Sequence, residues 1–325
     1  MKVLLVDVDS KIPNIVLMKL STYHKNRGDE VELRQLGFSG YPGNRKIKSV
    51  DAGNYEKVYV SCVFTPNAEY FHVYNCEHIE IGGTGVDIIK KLPMYIDNLP
   101  HDYSIYPDNN ISWGFITRGC IRNCSFCFVP RKEGGICLYR DWKDIVKHKK
   151  VEFLDNNFLA YAKHKTILTE MNAMGGFRYK FNQGLDIRLL DQENAKLLSD
   201  ALYTGEYIFA FDSINYESSV SKGINIFSKY CARHWSMKFY VYVSPSIPMW
   251  DAVYRIKYLK QHKCLPYVMR DKDCWTSSNK DFYTDMASYC NQPGFFKSMD
   301  FAYFLEKRHP NNADRRSRSL AHWLS

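Results

Sequence analysis

The regular alternation of short apolar runs with helix-length stretches limits this chain most. From residue 111 onward, ISWGFIT (111–117), VEFL (151–154), FRYKFNQ (177–183), EYIFAFD (206–212), KFYVYVS (238–244) and LPYVMR (265–270) have the length and the β-branched or aromatic content of buried strands. Helical spacing fills the gaps, around 141–149, 157–173, 190–202, 216–234 and 249–262. Strands separated by helices can return side by side only as parallel neighbours, so an α/β fold with a parallel sheet is expected. Six strands with five intervening helices fit an open (β/α)6 barrel better than a flat sheet, and such barrels carry their chemistry at the C-terminal ends of the strands.

The same rhythm opens the chain. VLLVDV (3–8), VELRQL (31–36), KVYVSCVF (57–64) and HIEIGG (78–83) read as strands, and residues 14–26 read as a helix stopped at Gly28. A small Rossmann-like parallel sheet is therefore expected over 1–105. LPMYIDNLPHDYSIYPDNN (92–110), with Pro93, Pro100 and Pro107, reads as a linker. The barrel is expected over 106–275. Residues 276–325 form an aromatic-rich extension expected to pack on it, followed by a basic tail expected to be solvated.

Composition narrows the class. Hydrophobic residues make up 45% and charged residues 24% of 325, which excludes a disordered, collagen-like or coiled-coil chain. No apolar run approaches the ~20 residues of a membrane span. The start MKVLLVDVDSK lacks the layout of a signal peptide, so a cytoplasmic protein without membrane contact is expected. A net charge of +9 permits a polyanionic partner without requiring one. Ten cysteines in such a compartment are not expected to pair as disulfides, so their spacing matters.

The segment GFITRGCIRNCSFCFVPRKEGG (114–135) sets Cys120, Cys124 and Cys127 in a C-x3-C-x2-C spacing directly after the first barrel strand. Thiolates are soft ligands suited to iron–sulfur clusters and zinc. Three thiolates leave one iron of a four-iron cluster open to a small molecule. A zinc knob or a closed cluster would recruit a fourth ligand, and Cys137, ten residues on, is available. Spacing alone leaves these readings level.

The loop resembles the signature of the radical S-adenosylmethionine (radical SAM) superfamily. It shares the spacing, the aromatic Phe126 before the last cysteine, and the position after strand one. VEFLDNNF (151–158), FNQGLDIRLL (181–190) and FAFDS (209–213) are similar to later strand segments of the cobalamin-type branch, so the resemblance spans about 111–270. It implies a [4Fe-4S] cluster on Cys120, Cys124 and Cys127, with S-adenosyl-L-methionine bound at the open iron. One electron would split its S–C5′ bond, giving methionine and a 5′-deoxyadenosyl radical that takes hydrogen from an unknown substrate. A one-electron donor of the flavodoxin or ferredoxin kind is implied. The substrate, small or macromolecular, is not indicated.

Candidate cofactor-binding residues stand at the strand ends. Asp155, Asn156 and Asn157 could accept from the SAM ammonium or cap a helix. Arg188 could clamp the SAM carboxylate or form a salt bridge, with Gln183 and Asp186 beside it. Asp212 and Ser213 could reach the ribose or methionyl part, and Phe126 the adenine. Arg118, Arg122 and Arg131 surround the loop, where solvation is the plain expectation.

The first domain resembles the cobalamin-binding domain of that branch. Its D-x-H-x-x-G motif is missing, since DVDSKIPN is followed by no His until His24. A cobalamin-dependent methyltransferase is therefore carried as an alternative. A non-catalytic nucleic-acid-binding protein stabilised by zinc or a cluster is the other. Methylthiotransferase-like activity is disfavoured, because only Cys62 and Cys76 precede the linker.

Overall fold

A computed structural model describes residues 1–38 and 46–324. The chain forms two compact units, one of Met1–Gly114 with Lys143–His148, the other of Phe115–Trp142 with Lys149 onward. Among the described residues it is an α/β protein with several parallel sheets and twelve α-helices.

The first unit contains β1 (Lys2–Asp7), β2 (Glu30–Gln35), β3 (Lys48–Asp51), β4 (Lys57–Ser61), β5 (Phe71–Tyr74), β6 (Ile79–Gly82) and β7 (Ile111–Gly114). A parallel sheet runs in the order β2-β1-β4-β6. β1 is apolar from Val3 to Val6 because both its faces are covered. Val3 and Leu5 meet Leu17 and Leu20 of the helix Ile15–Lys25. Leu4 and Val6 pack with Val50, Ala52, Val58 and Val60 on the other side. A second layer covers that face. It is the parallel ladder β3–β5, which pairs Val50 with Val73. Each segment is four residues long and docks as a strand through one apolar face.

The Pro-rich segment also departs from expectation. It packs on the first unit instead of running free. Ile96 and Tyr106 are buried, Lys19 reaches Asp97 at 2.7 Å, and Tyr106 donates to Asp7 at 2.7 Å. Isolated anchors of this kind leave no periodicity to read.

The second unit begins with a short antiparallel pair, β8 (Thr117–Arg118) and β9 (Cys137–Leu138). β10 (Lys150–Phe153) pairs in parallel with β11 (Arg178–Phe181). β12 (Tyr207–Ala210), β13 (Met237–Val243) and β14 (Leu265–Arg270) form a second parallel ladder. The bridge between Leu185 and Phe209 links the two ladders. Helices His164–Met174, Gln192–Asp200, Glu217–Ser228 and Met249–Gln261 alternate with these strands as expected. The helix expected over 141–149 is only Trp142–Ile145.

Two buried polar devices hold this unit. Arg255, fully buried, pairs with Asp251 and donates to the carbonyls of Phe211 (2.6 Å) and Tyr242 (3.1 Å), tying a helix to two strand ends. Asn291 accepts from Val268 N–H at 2.7 Å and donates to Val268 C=O at 3.1 Å, closing the outer edge of β14.

In the extension Phe282, Tyr283, Phe296, Phe301 and Phe304 are buried, whereas Phe295 and Tyr303 are exposed. The basic tail is not simply solvated. It forms the helix Ala313–Leu324, whose Arg315 and Ser319 bind the buried Asp285. No helix among the described residues is long and apolar enough to cross a membrane.

Candidate metal centre

The cysteine loop runs from β8 to β9, and its base is fixed from below. Asp155, fully buried just after β10, accepts from Thr117 N–H and Thr117 Oγ1, both at 2.6 Å, and from Ile116 N–H at 3.1 Å. Burial pushes its carboxyl up to about 6, against those hydrogen bonds. Both Asp155 oxygens therefore serve the loop. Glu133, at the far end, accepts from Arg118 (2.7 Å), Gly119 N–H (3.0 Å) and Asn156 Nδ2 (2.7 Å). Between them Gly119 adopts φ +80°, and a Cβ there would lie 2.1 Å from the carbonyl oxygen of Gly135. Only glycine fits that approach.

Arg122, inside the cysteine spacing, reaches Asp186 at 2.8 Å, and Arg188 binds the same carboxylate at 2.6 and 3.0 Å. Burial works against ionisation of Asp186, but the two guanidinium groups outweigh it and hold the carboxyl below its usual range. Arg188 also lies over the Tyr216 ring at 4.4 Å. Arg118 and Arg122 are thus ion-paired rather than merely solvated, while Arg131 is exposed.

The three thiols are partly buried and lie within one electrostatic neighbourhood. Burial pushes the Cys124 thiol up, and the negative charge of Asp212 adds to it. Burial does the same at Cys127, opposed by the N–H of Val129 and reinforced by Cys120 and Asp212. Such thiols give up protons when a metal binds. Asp212 is itself raised by burial, and accepts from Tyr242 N–H at 2.9 Å.

The remaining candidates fall as follows. Asn157 is 3% exposed, places Nδ2 3.5 Å from Cys120 Sγ, and leaves Oδ1 buried without a partner. Ser213 caps the turn at Ile214–Tyr216. Gln183 is exposed. Phe126 is 43% exposed and stacks on Tyr242, ring centres 4.0 Å apart. Glu133, Tyr242 and Arg255 were not singled out from sequence, because no spacing ties them to the cysteines. Cys137 lies opposite Arg118 on β9 and is exposed.

Among the described residues no three His, Cys, Asp or Glu side chains are disposed to hold a single metal ion. A four-iron cluster makes a different demand, one thiolate per iron rather than several on one ion. The donor set fits it: three thiols on one loop, with a buried amide oxygen beside them that lacks a donor.

In the first unit the amides beyond the sheet end are engaged by a side chain of the same unit. Asp9 accepts from Val63 N–H (2.7 Å), Phe64 N–H (3.0 Å) and Asn67 Nδ2 (2.7 Å). Gly83 is required by packing, since a Cβ there would lie 2.2 Å from the Cys62 carbonyl oxygen. His24 is buried against Asp29 (2.7 Å) and Tyr59 (3.2 Å).

No family model matches the chain, and a comparison with curated proteins finds no match.

Proposed function

We propose that the second unit is a radical SAM enzyme whose Cys120, Cys124 and Cys127 hold a [4Fe-4S] cluster. The observation that carries this reading is the convergence of the three thiols with polar strand ends, Asn157 after β10, Asp186 and Arg188 after β11, and Asp212 after β12. The parallel β/α repeats around them support a partial (β/α)6 barrel, and the first unit's parallel sheet a Rossmann-like layer. When bound, the cluster with SAM supplies reductive cleavage of an S–C bond and hydrogen abstraction.

The chain's own residues would bind and orient. Asn157 Oδ1, buried and lacking a donor, suits the SAM ammonium. Asp212, engaged by one backbone N–H, retains acceptor capacity for a hydroxyl or an ammonium. Arg188 uses Nε and Nη2 to hold Asp186, which also binds Arg122, and its remaining guanidinium donors suit a carboxylate. The Phe126–Tyr242 stack offers an exposed aromatic face to an adenine.

Anaerobic reconstitution tests this. Four iron and four sulfide per chain are expected, with 5′-deoxyadenosine formed from SAM under reduction. Replacing any one of the three cysteines by Ala should abolish that product, and Cys137→Ala should leave it largely intact. One zinc with no iron, or cluster loss in Cys137→Ala alone, would overturn the proposal and favour a closed, structural site.

A further inference from the structure

Cys120 Sγ accepts the backbone N–H of Arg122 at 3.3 Å and faces Asn157 Nδ2 at 3.5 Å. The backbone that carries the Asn157 side chain is anchored. Its main-chain carbonyl accepts from Ala160 N–H at 3.1 Å, and the next residue, Phe158, is fully buried and stacks on Phe181 with ring centres 4.4 Å apart. The chemistry of the neighbour fixes which way the amide points. A metal-bound thiolate has lone pairs and no proton, so only the N–H edge can face it. Turning the amide over would set two acceptors against each other.

We propose that Asn157 is a positioning residue that sets the reduction potential of the cluster through an N–H···S bond to Cys120. This rests on the reading that a four-iron cluster is held there. Reduction adds negative charge to a cluster, and an N–H dipole aimed at one of its sulfurs stabilises that charge and raises the potential. Asn157 is withdrawn from water, so the dipole acts with little screening.

The test uses the full chain, reconstituted anaerobically as wild type, Asn157→Leu and Asn157→Asp. Midpoint potentials are read by EPR during reductive titration with dithionite, alongside iron content and circular dichroism. Leu keeps the volume and removes the donor; Asp keeps the shape, removes the donor and adds charge. Both variants should load four iron per chain, with lowered potentials in the order wild type above Leu above Asp. Unchanged potentials at full loading would overturn the inference. So would loss of the cluster in both variants, since the contact would then serve assembly. A wild-type chain that binds no four-iron cluster would instead sink the proposed function, and this inference with it.

Discussion

At the scale of single residues, buried carboxylates decide the local architecture, and each is used where its surroundings dictate. Asp155 has three donors, yet desolvation wins and lifts its carboxyl to about 6. A carboxyl raised in the folded state stabilises the fold most below the ordinary carboxylate range, and that contribution is lost as pH rises through about 6. When protonated, Asp155 can donate to Thr117 Oγ1, whose hydroxyl can reverse its role. Asp155→Asn should cost about 1–3 kcal/mol, because its NH2 must face a backbone N–H. The cost should be largest at acid pH and shrink toward neutrality, as measured by urea unfolding of the apo chain across pH. A cost that grows as pH rises would contradict the assignment.

At the scale of elements, the cysteine loop is a short ladder closed by glycines rather than a stretch of regular structure. Gly119 and Gly134 make a controlled pair. Both have positive φ, +80° and +78°, but a Cβ at Gly119 meets backbone while one at Gly134 meets open space. Gly134→Ala should lose about 1–3 kcal/mol from the backbone conformation alone and still load iron. Gly119→Ala must also push Gly135 away, and should lose most of its iron on reconstitution with a clearly lower Tm. Equal loading in the two variants would mean that the loop is not built as described. The spacing of the cysteines and the strand rhythm were legible in the sequence because both are local and periodic. The partners of the loop were not. Glu133 and Asp186 reach Gly119 and Arg122 across 14 and 64 residues, and nothing at either end of the sequence marks the pair.

At the scale of the whole molecule, the second unit is closed by its own C-terminal segment. Asp285, fully buried, gathers His309 (2.8 Å), Arg315 (2.9 and 3.0 Å), Ser319 (2.9 Å) and Arg308 (3.2 Å). Burial opposes its ionisation, but hydrogen bonds from Arg315, His309 and Ser319 outweigh burial and hold the carboxyl below its usual range. Stability from such a group is present above the ordinary carboxylate range and is lost as pH falls through the depressed value. Asp285→Asn should therefore cost about 1–3 kcal/mol at neutral pH, because it removes the charge that the partly exposed Arg308 and Arg315 pair with and replaces an acceptor oxygen by an NH2 group. It should open the 309–313 connection to proteolysis. The gap from wild type should narrow on acidification, and a gap independent of pH would refute the linkage.

Composition and periodicity alone determined that this chain is α/β with parallel pairing, that most of its late aromatics are core, and that Cys120, Cys124 and Cys127 share one loop. These follow from apolar burial and chain spacing, which act over a few residues. Only the tertiary structure decided that β3–β5 covers one face of the first sheet, that Asp9 fills that sheet's amide nest, and that Arg188 answers to Asp186. It also folded the basic tail back onto Asp285. Those outcomes depend on which charges and backbone amides meet once the chain has collapsed, and desolvation makes such meetings all-or-none at distances in sequence that no local pattern records.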